Sequence, residues 1–322
     1  MRRGQWGGGC YVLLVGTSRR AAGSSQKLER LARVAVALEK VRSSCDVAAR
    51  LELDPVAVVH RYPALEDREL VGLIASSVAF GNVKALRAKL EEALRRLGPD
   101  VAATADDADA VGARLRGWKH RVYRGDDLAR LIVGARRVQR ASGSLGRRFA
   151  RDFEREGDLR AALISFTRAI REAGGLASGH RAKRRGSAHI LADPAGASGC
   201  KRLLLYLRWM VRPADGVDLG LWDVPPSALL VPVDVHIHKL GQNLGFTRRK
   251  TTSWKTTQEI TDALRRFDPA DPVKYDFALC HLGMLRRCPS RRDAVRCEGC
   301  GVKPVCRHWE NARATSNPVG QP

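Results

Sequence analysis

Three side chains that could hold a metal ion or move a proton lie close together in the segment VPVDVHIHKL, residues 231–240. Asp234, His236 and His238 could be metal ligands, which would favour a metallohydrolase. Histidines two positions apart share a face on a strand, but they diverge by about 200° on a helix. The residues after Asp234 have helical periodicity, so we expect a helix to begin there. This favours Asp234 alone as the chemical group, at the N-cap of that helix.

Four cysteines near the end of the chain form a second candidate site, in the sequence CPSRRDAVRCEGCGVKPVC. Cys288, Cys297, Cys300 and Cys306 are separated by eight, two and five residues. Four thiolates at such spacing can surround a zinc ion or an iron–sulfur cube. A zinc ribbon usually pairs two CxxC knuckles and this segment has one, so we expect a [4Fe–4S] cluster, with zinc as the alternative. The clustering also favours metal ligation in a reducing compartment over disulfides.

The charge balance indicates a polyanionic partner. The chain has 57 Lys and Arg against 34 Asp and Glu, which gives a net charge of +23. A genome that favours arginine codons would explain arginine in place of lysine, but it would not explain the shortage of acids. Nucleic acid is therefore the expected partner.

Almost the whole chain is predicted to be helical, with no alternating strand pattern and no repeat. We expect residues 1–25 and 313–322 to be disordered; a signal peptide is an alternative for the start. No apolar run reaches the roughly 18–20 residues of a membrane span, so we expect no membrane contact and a cytoplasmic, nucleoid-associated protein. The predicted helices cover residues 26–43, 65–98 with a break at 81–82, 126–140, 144–156, 158–173, 199–212, 234 onward, 254–267 and 272–287. The basic stretch 174–198 is predicted to be a loop.

The cysteine spacing resembles the C-terminal [4Fe–4S] loop of the endonuclease III branch of the helix-hairpin-helix DNA glycosylases. That family has six, two and five residues between its cysteines, so the first interval is two residues longer here, which a surface loop tolerates. The stretch from about residue 50 to 306 also resembles an uncharacterised bacterial family related to these glycosylases. The resemblance implies an all-α, two-lobed fold that acts as a monomer on double-stranded DNA with a damaged base. Residues 26–59 plus 233–312 would form the cluster lobe, and residues 60–232 a helical barrel lobe.

The resemblance also implies a hairpin that precedes a catalytic lysine. The segment ADPAGASGCKRLLLYL, residues 192–207, has Pro194 and two glycines before Lys201, although two extra residues separate the glycines. Glycines and helix N-termini let backbone N–H groups approach a phosphate, and the following helix carries arginines. In the family a glutamine near the segment 73–82 often fills the gap left by the flipped base, and this chain has none there. Asn82, Ser77 or Phe80 could take that place. We therefore expect DNA contacts at Gly196, Gly199, Arg202, Arg208, Arg212 and Asn82.

Under this resemblance the catalytic residues are Lys201 and Asp234. The Lys201 amine would attack C1′ of a flipped nucleotide, release the damaged base and form a Schiff base, and β-elimination would cut the strand. The Asp234 carboxylate would stabilise the positive charge on the sugar or accept a proton. The expected activity is thus a bifunctional glycosylase with AP lyase activity on an oxidised base. A non-catalytic nucleic-acid-binding protein on the same fold is the alternative.

One interval departs from the endonuclease III branch. Lys201 and Asp234 are 33 positions apart, about twice the separation in that branch. The longer interval is similar to that of the archaeal 8-oxoguanine glycosylases, so the substrate of endonuclease III does not carry over to this chain.

Overall fold

The computed structural model describes residues 15–176 and 185–313, and side chains from residues 25–176 and 186–310. The chain there is mostly helical, which confirms the all-α prediction at that level. The helices are α1 (Val15–Ser43), α2 (Val47–Leu51), α3 (Leu65–Val78), α4 (Val83–Leu97), α5 (Val101–Ala105), α6 (Ala108–Arg114), α7 (Gly125–Ser142), α8 (Leu145–Glu156), α9 (Leu159–Gly174), α10 (Arg185–His189), α11 (Lys201–Val211), α12 (Val235–Leu244), α13 (Trp254–Arg265), α14 (Asp276–Arg286) and α15 (Arg307–Arg313).

Short 3-10 helices cover Pro55–Arg61, Pro226–Ala228 and Lys303–Val305, and two strands, β1 (Lys119–His120) and β2 (Tyr123–Arg124), pair as a hairpin. The prediction that the chain has no strands was therefore wrong at residues 119–124. The predicted loop was wrong at α10, and α1 already begins at Val15, inside the expected disordered extension. Residues 1–14 and 314–322 lie outside the described chain. No helix in the described ranges is long and apolar enough to cross a membrane.

The middle of the chain is held together around a buried glutamate on α3. Glu69 is 0% exposed, and its carboxylate accepts hydrogen bonds from the backbone N–H groups of Leu145 and Gly146, both at 2.8 Å. Gln139 Nε2 and Trp222 Nε1 also donate to it, at 2.7 Å and 2.9 Å. A carboxylate at the N-terminus of α8 satisfies donors that would otherwise be buried without partners. It therefore fixes α3 against α7 and α8.

The start of the chain packs against its end. Arg30 on α1 donates to the carbonyl of Leu244 at 2.9 Å, and the Tyr275 hydroxyl donates to Glu39 at 2.6 Å. These two ends of the chain are the segments that the prediction assigns to the cluster lobe. A single buried apolar core nevertheless runs from Val34 through α11 to Val305, so the two predicted lobes share it. The division of the chain at residues 60 and 232 stays a prediction.

Candidate active site

Lys201 is the first residue of α11, and a strained turn places it there. Cys200 precedes it with φ +48°, a left-handed conformation that is costly for a residue with a side chain. The turn is held because Gly199 N donates to the carbonyl of Thr252 at 3.2 Å and Ser198 bridges to Ser253. Lys201 Nζ donates to the carbonyl of Ala79 at 3.2 Å, just beyond α3. The amine is therefore fixed at the junction of α3 and α11.

The two hairpin glycines differ from the prediction. Gly199 is buried, its amide is used by Thr252, and a Cβ there would lie 2.9 Å from that carbonyl. Gly196 is exposed, but its amide donates to Asp193 at 3.2 Å and its carbonyl accepts from Arg160 at 2.7 Å. Neither glycine offers a free N–H group to a phosphate in this conformation. Their role is to shape the turn, which corrects the expected contact.

Asp234 caps α12, as the sequence predicts. Its Oδ1 accepts from the backbone N–H groups of His236 and Ile237, both at 2.8 Å. Its Oδ2 lies 3.4 Å from the thiol of Cys280 on α14. One carboxylate oxygen is thus committed to the helix N-terminus, and the other faces the site.

Cys280 connects the two predicted catalytic residues. Burial raises the pKa of the Cys280 thiol well above its ordinary value, and the Asp234 and Asp276 carboxylates raise it further, whereas Lys201 acts in the opposite direction. The thiol therefore stays protonated and donates to Asp234. Asp234 contacts this thiol directly, and the Lys201 charge lowers its pKa, so both groups act electrostatically on Cys280. No motif in the sequence identifies Cys280 as a residue of this site.

Arg208 and Arg212 do not face solvent, which corrects their predicted contact with DNA. Arg208 is 2% exposed and pairs with Asp218 at 3.0 Å and with Asp276. Arg212 is 8% exposed and pairs with Asp215, Asp218 and Asp271. Their charges are neutralised inside the protein, by Asp215 and Asp218 shortly after α11 and by Asp271 and Asp276 from a later part of the sequence.

Arg202 and Asn82 lie beside the Lys201 junction. Arg202 is half-buried, and its guanidinium donates to the carbonyls of Ser77, at 2.8 Å, and His189. Asn82 is exposed at the N-cap of α4, where its Oδ1 accepts from Ala85 N at 3.2 Å. The contacts of both residues are internal, and their contact with DNA stays a prediction.

The two histidines of the VPVDVHIHKL segment lie on a helix, as expected. His238 Nε2 is 2.9 Å from the carbonyl of Arg249, and His236 packs against Gly283. In the described chain, no three His, Cys, Asp or Glu side chains are gathered closely enough to hold a metal ion. The geometry does not support a metal site formed by Asp234, His236 and His238, because α12 directs the two histidine rings apart.

The four late cysteines lie near one another. Burial, with smaller contributions from Cys288, Cys297 and Cys300, raises the pKa of the Cys306 thiol to about 11. Asn243 Nδ2 donates to Cys288 Sγ at 3.1 Å, a contact that a metal-bound thiolate can also accept. None of the four forms a disulfide. Their donor chemistry suits an iron–sulfur cluster or zinc, but in the described chain these side chains are not gathered closely enough to hold a metal ion.

Four aromatic rings lie beside the junction of α3 and α11, and no sequence pattern predicts this group. Phe80, His120, Tyr123 and His189 contact one another edge to face or tilted, with centroids 5.1–6.5 Å apart. They come from the end of α3, the β-hairpin and α10. Each strand of the hairpin has two residues, which is too short for an alternating pattern that predicts a strand. The sequence therefore did not indicate that these four rings would contact one another.

Comparison with known proteins adds one match. The family model described as "Protein of unknown function (DUF2400)" covers residues 54–285. The matched region includes Lys201, Asp234 and Cys280, and it ends before Cys288. No curated protein and no solved structure matches the chain.

Proposed function

We propose that this chain, which belongs to the DUF2400 family, is a DNA glycosylase with AP lyase activity on an oxidised base. The description of the family assigns no activity, so the proposal rests on the site itself. One observation carries the proposal. Lys201 and Asp234 are 33 positions apart in the sequence, yet both act on the thiol of Cys280. Schiff-base chemistry on a sugar uses an amine as nucleophile, and a carboxylate can move the protons that this reaction transfers.

The reaction begins with the free-amine form of Lys201. The Nζ lone pair bonds to C1′ of a flipped nucleotide, and the bond between C1′ and the base breaks. The base leaves with the bonding electrons and takes a proton from water. Asp234 Oδ2, the oxygen not used in the helix cap, accepts a proton from the new C1′ ammonium and returns it to O4′ as the sugar ring opens.

A protonated imine then joins Nζ to C1′. A proton passes from C2′ to water as the bond between C3′ and its phosphate oxygen breaks and the phosphate leaves with the bonding electrons, and a further water molecule then hydrolyses the imine and releases the sugar from the lysine. The Cys280 thiol donates to Asp234 Oδ2 at 3.4 Å and so orients this oxygen without competing for its proton. The Asp234 carboxylate would also stabilise positive charge that develops on the sugar.

Cys288, Cys297, Cys300 and Cys306 would hold a [4Fe–4S] cluster or, alternatively, zinc. When bound, the group would fix the loop that these residues form. Arg291 and Arg296 on this loop are exposed and could contact phosphates. Together with the net charge of +23, they favour the backbone of double-stranded DNA as the surface that is bound.

A non-catalytic DNA-binding protein on the same fold is the second candidate. It is favoured by the hydrogen bond from Lys201 Nζ to Ala79, because this bond gives the lysine a structural use. Binding without catalysis predicts salt-sensitive affinity for DNA with no base release.

Base release decides between the two candidates. Duplexes that contain one 8-oxoguanine or one oxidised pyrimidine are incubated with the full chain, and the free base is measured. We expect release by the wild-type protein, and a loss of about 100-fold or more in Asp234→Asn, the size typical of removing a group that acts in proton transfer. Asp223→Asn is the matched control and should keep activity. Tight DNA binding with no release on any of these lesions would favour the second candidate.

A further inference from the structure

The connection between α12 and α13 carries a concentration of positive charge. We call residues 247–255, which include the first two residues of α13, the basic loop. It has no acidic residue and four exposed cations, which are Arg248, Arg249, Lys250 and Lys255. Arg249 is neutralised by Glu259 on α13, at 2.8 Å. The other three cations have no hydrogen bond or ion pair among the described residues, so their charge is free for a ligand.

The backbone of the basic loop is fixed by both flanking helices. The carbonyl of Arg249 accepts hydrogen bonds from His238 Nε2 at 2.9 Å and from Gln242 Nε2 at 2.7 Å, both on α12. The Thr247 hydroxyl donates to Glu259 on α13 at 2.6 Å. His238, which no catalytic step uses, thus has a role in holding the loop. A ligand that binds a loop held in this way does not have to order its backbone, which lowers the cost of binding.

The basic loop adjoins the turn that leads into Lys201. Gly199 N donates to the carbonyl of Thr252 at 3.2 Å, and Trp254 N donates to the carbonyl of Ala197 at 3.3 Å. Gly199 is two positions before Lys201, which corresponds to at most about 8 Å along the backbone. A DNA strand with one nucleotide at Lys201 would therefore have its neighbouring phosphates beside the loop.

Several of the phosphate contacts expected from the sequence are taken up inside the protein. Arg208 and Arg212 are buried in ion pairs, and the amides of Gly196 and Gly199 have backbone partners. Binding of a DNA backbone depends on cations that are free to replace the counterions of the phosphates. The basic loop provides three such cations beside the turn before Lys201.

We infer that the basic loop binds the phosphate backbone of duplex DNA, and that Arg248 and Lys250 each contact one phosphate. The planar guanidinium of arginine matches two phosphate oxygens, and the ammonium of lysine acts as a compact point charge. Contacts of this kind position a strand without reading its sequence. The loop is separate from the hairpin glycines and from the cysteine segment. The choice of DNA as the ligand rests on the proposed function.

Salt-dependent binding to an undamaged duplex tests the inference without requiring catalysis. The affinity of the full chain is measured by fluorescence anisotropy between about 50 mM and 200 mM salt. In Arg248→Gln/Lys250→Gln, the slope of log affinity against log salt should become shallower by about 1.8, because each phosphate contact contributes about 0.9. The affinity at about 100 mM salt should fall roughly tenfold or more. Both side chains are exposed and without partners, so the urea midpoint should stay at the wild-type value.

Two control variants separate the basic loop from the charge of the whole chain. Lys40→Gln/Arg151→Gln removes the same net charge from exposed residues of α1 and α8, and the slope should change by less than about 0.5. Arg249→Gln/Glu259→Gln removes the paired cation of the loop without changing the net charge, and it should also keep the slope. An unchanged slope in Arg248→Gln/Lys250→Gln, or an equal change in Lys40→Gln/Arg151→Gln, would overturn the inference.

Comparison with base release separates this inference from the proposed function. A slope that depends on Arg248 and Lys250, with no base release by the wild-type protein, would support the basic loop and leave the glycosylase proposal unsupported. Base release by the wild-type protein, with an unchanged slope in Arg248→Gln/Lys250→Gln, would support the glycosylase and overturn the role of the loop.

Discussion

The buried ion pairs of Arg208 allow a prediction of stability with a definite size. Arg208 is 2% exposed, and it donates to Asp218 at 3.0 Å and to Asp276. In the Arg208→Met protein, Asp218 keeps Arg212 as a partner, but Asp276 loses its cation, and its Oδ1 already has no hydrogen bond. Removing one partner of a buried pair costs about 3–5 kcal/mol, so we expect the free energy of unfolding at about pH 8 to fall by that amount.

The loss should depend on pH in a defined direction. Burial raises the pKa of Asp276 to about 6 even with Arg208 present, and the variant raises it further. The native variant therefore holds a proton that the unfolded chain has released. Its stability falls as the pH rises from the ordinary value of 3.8 through the raised pKa. The deficit of Arg208→Met relative to the wild type should be smaller at about pH 5 than at about pH 8.

Urea unfolding of both proteins at the two pH values measures the effect. Arg61→Met is the control, since Arg61 pairs with Glu91 at 3.0 Å with half of its side chain exposed, and such a surface pair contributes about 0–1 kcal/mol. A deficit below about 1 kcal/mol for Arg208→Met, or one that grows at the lower pH, would refute the reasoning about this network.

Three further predictions concern other groups. Glu69→Ala leaves three buried donors without an acceptor, and Gln139 Nε2 with only the carbonyl of Glu66, so it should lower the free energy of unfolding by at least about 3 kcal/mol in the same urea assay. The pKa of Glu39 is lowered to about 2, chiefly by the Tyr275 hydroxyl and then by Lys274. Glu39→Gln should therefore lower the thermal midpoint at neutral pH, and this difference should shrink as the pH falls from 4.5 toward about 2. Anaerobically purified wild-type protein should be yellow-brown with iron and labile sulfide, and Cys306→Ser should lose both; a colourless protein that contains zinc would contradict the cluster.

The helices could be predicted because their signals are local. The break at Gly81–Asn82, the helices between residues 126 and 173, and the cap at Asp234 follow from periodicity, glycine and capping residues that lie within a few positions. The β-hairpin and α10 could not be predicted, since each is too short to show a period and depends on packing against α7 and α11.

The site was harder to predict because its neighbours are distant in sequence. Lys201 and Asp234 could be identified from their motifs, but Cys280 lies on a third helix and carries no motif. Arg208 and Arg212 show the opposite case. Their helical spacing resembles a solvated basic face, and only the fold reveals that Asp218, Asp271 and Asp276 cover them. The net charge of a sequence predicts how much basic surface to expect. It does not identify the arginines that form this surface.

Covalent trapping of the lysine tests the central claim most directly. The wild-type protein is incubated with a lesion-containing or abasic duplex in the presence of borohydride, which reduces an imine to a stable bond, and the attached peptide is sequenced by mass spectrometry. We expect one adduct, on Lys201. Lys201→Gln should form none, and Lys84→Gln, a change at an exposed lysine on α4, should form it at the wild-type level. An adduct that persists in Lys201→Gln, or no adduct on any of these duplexes, would contradict the account.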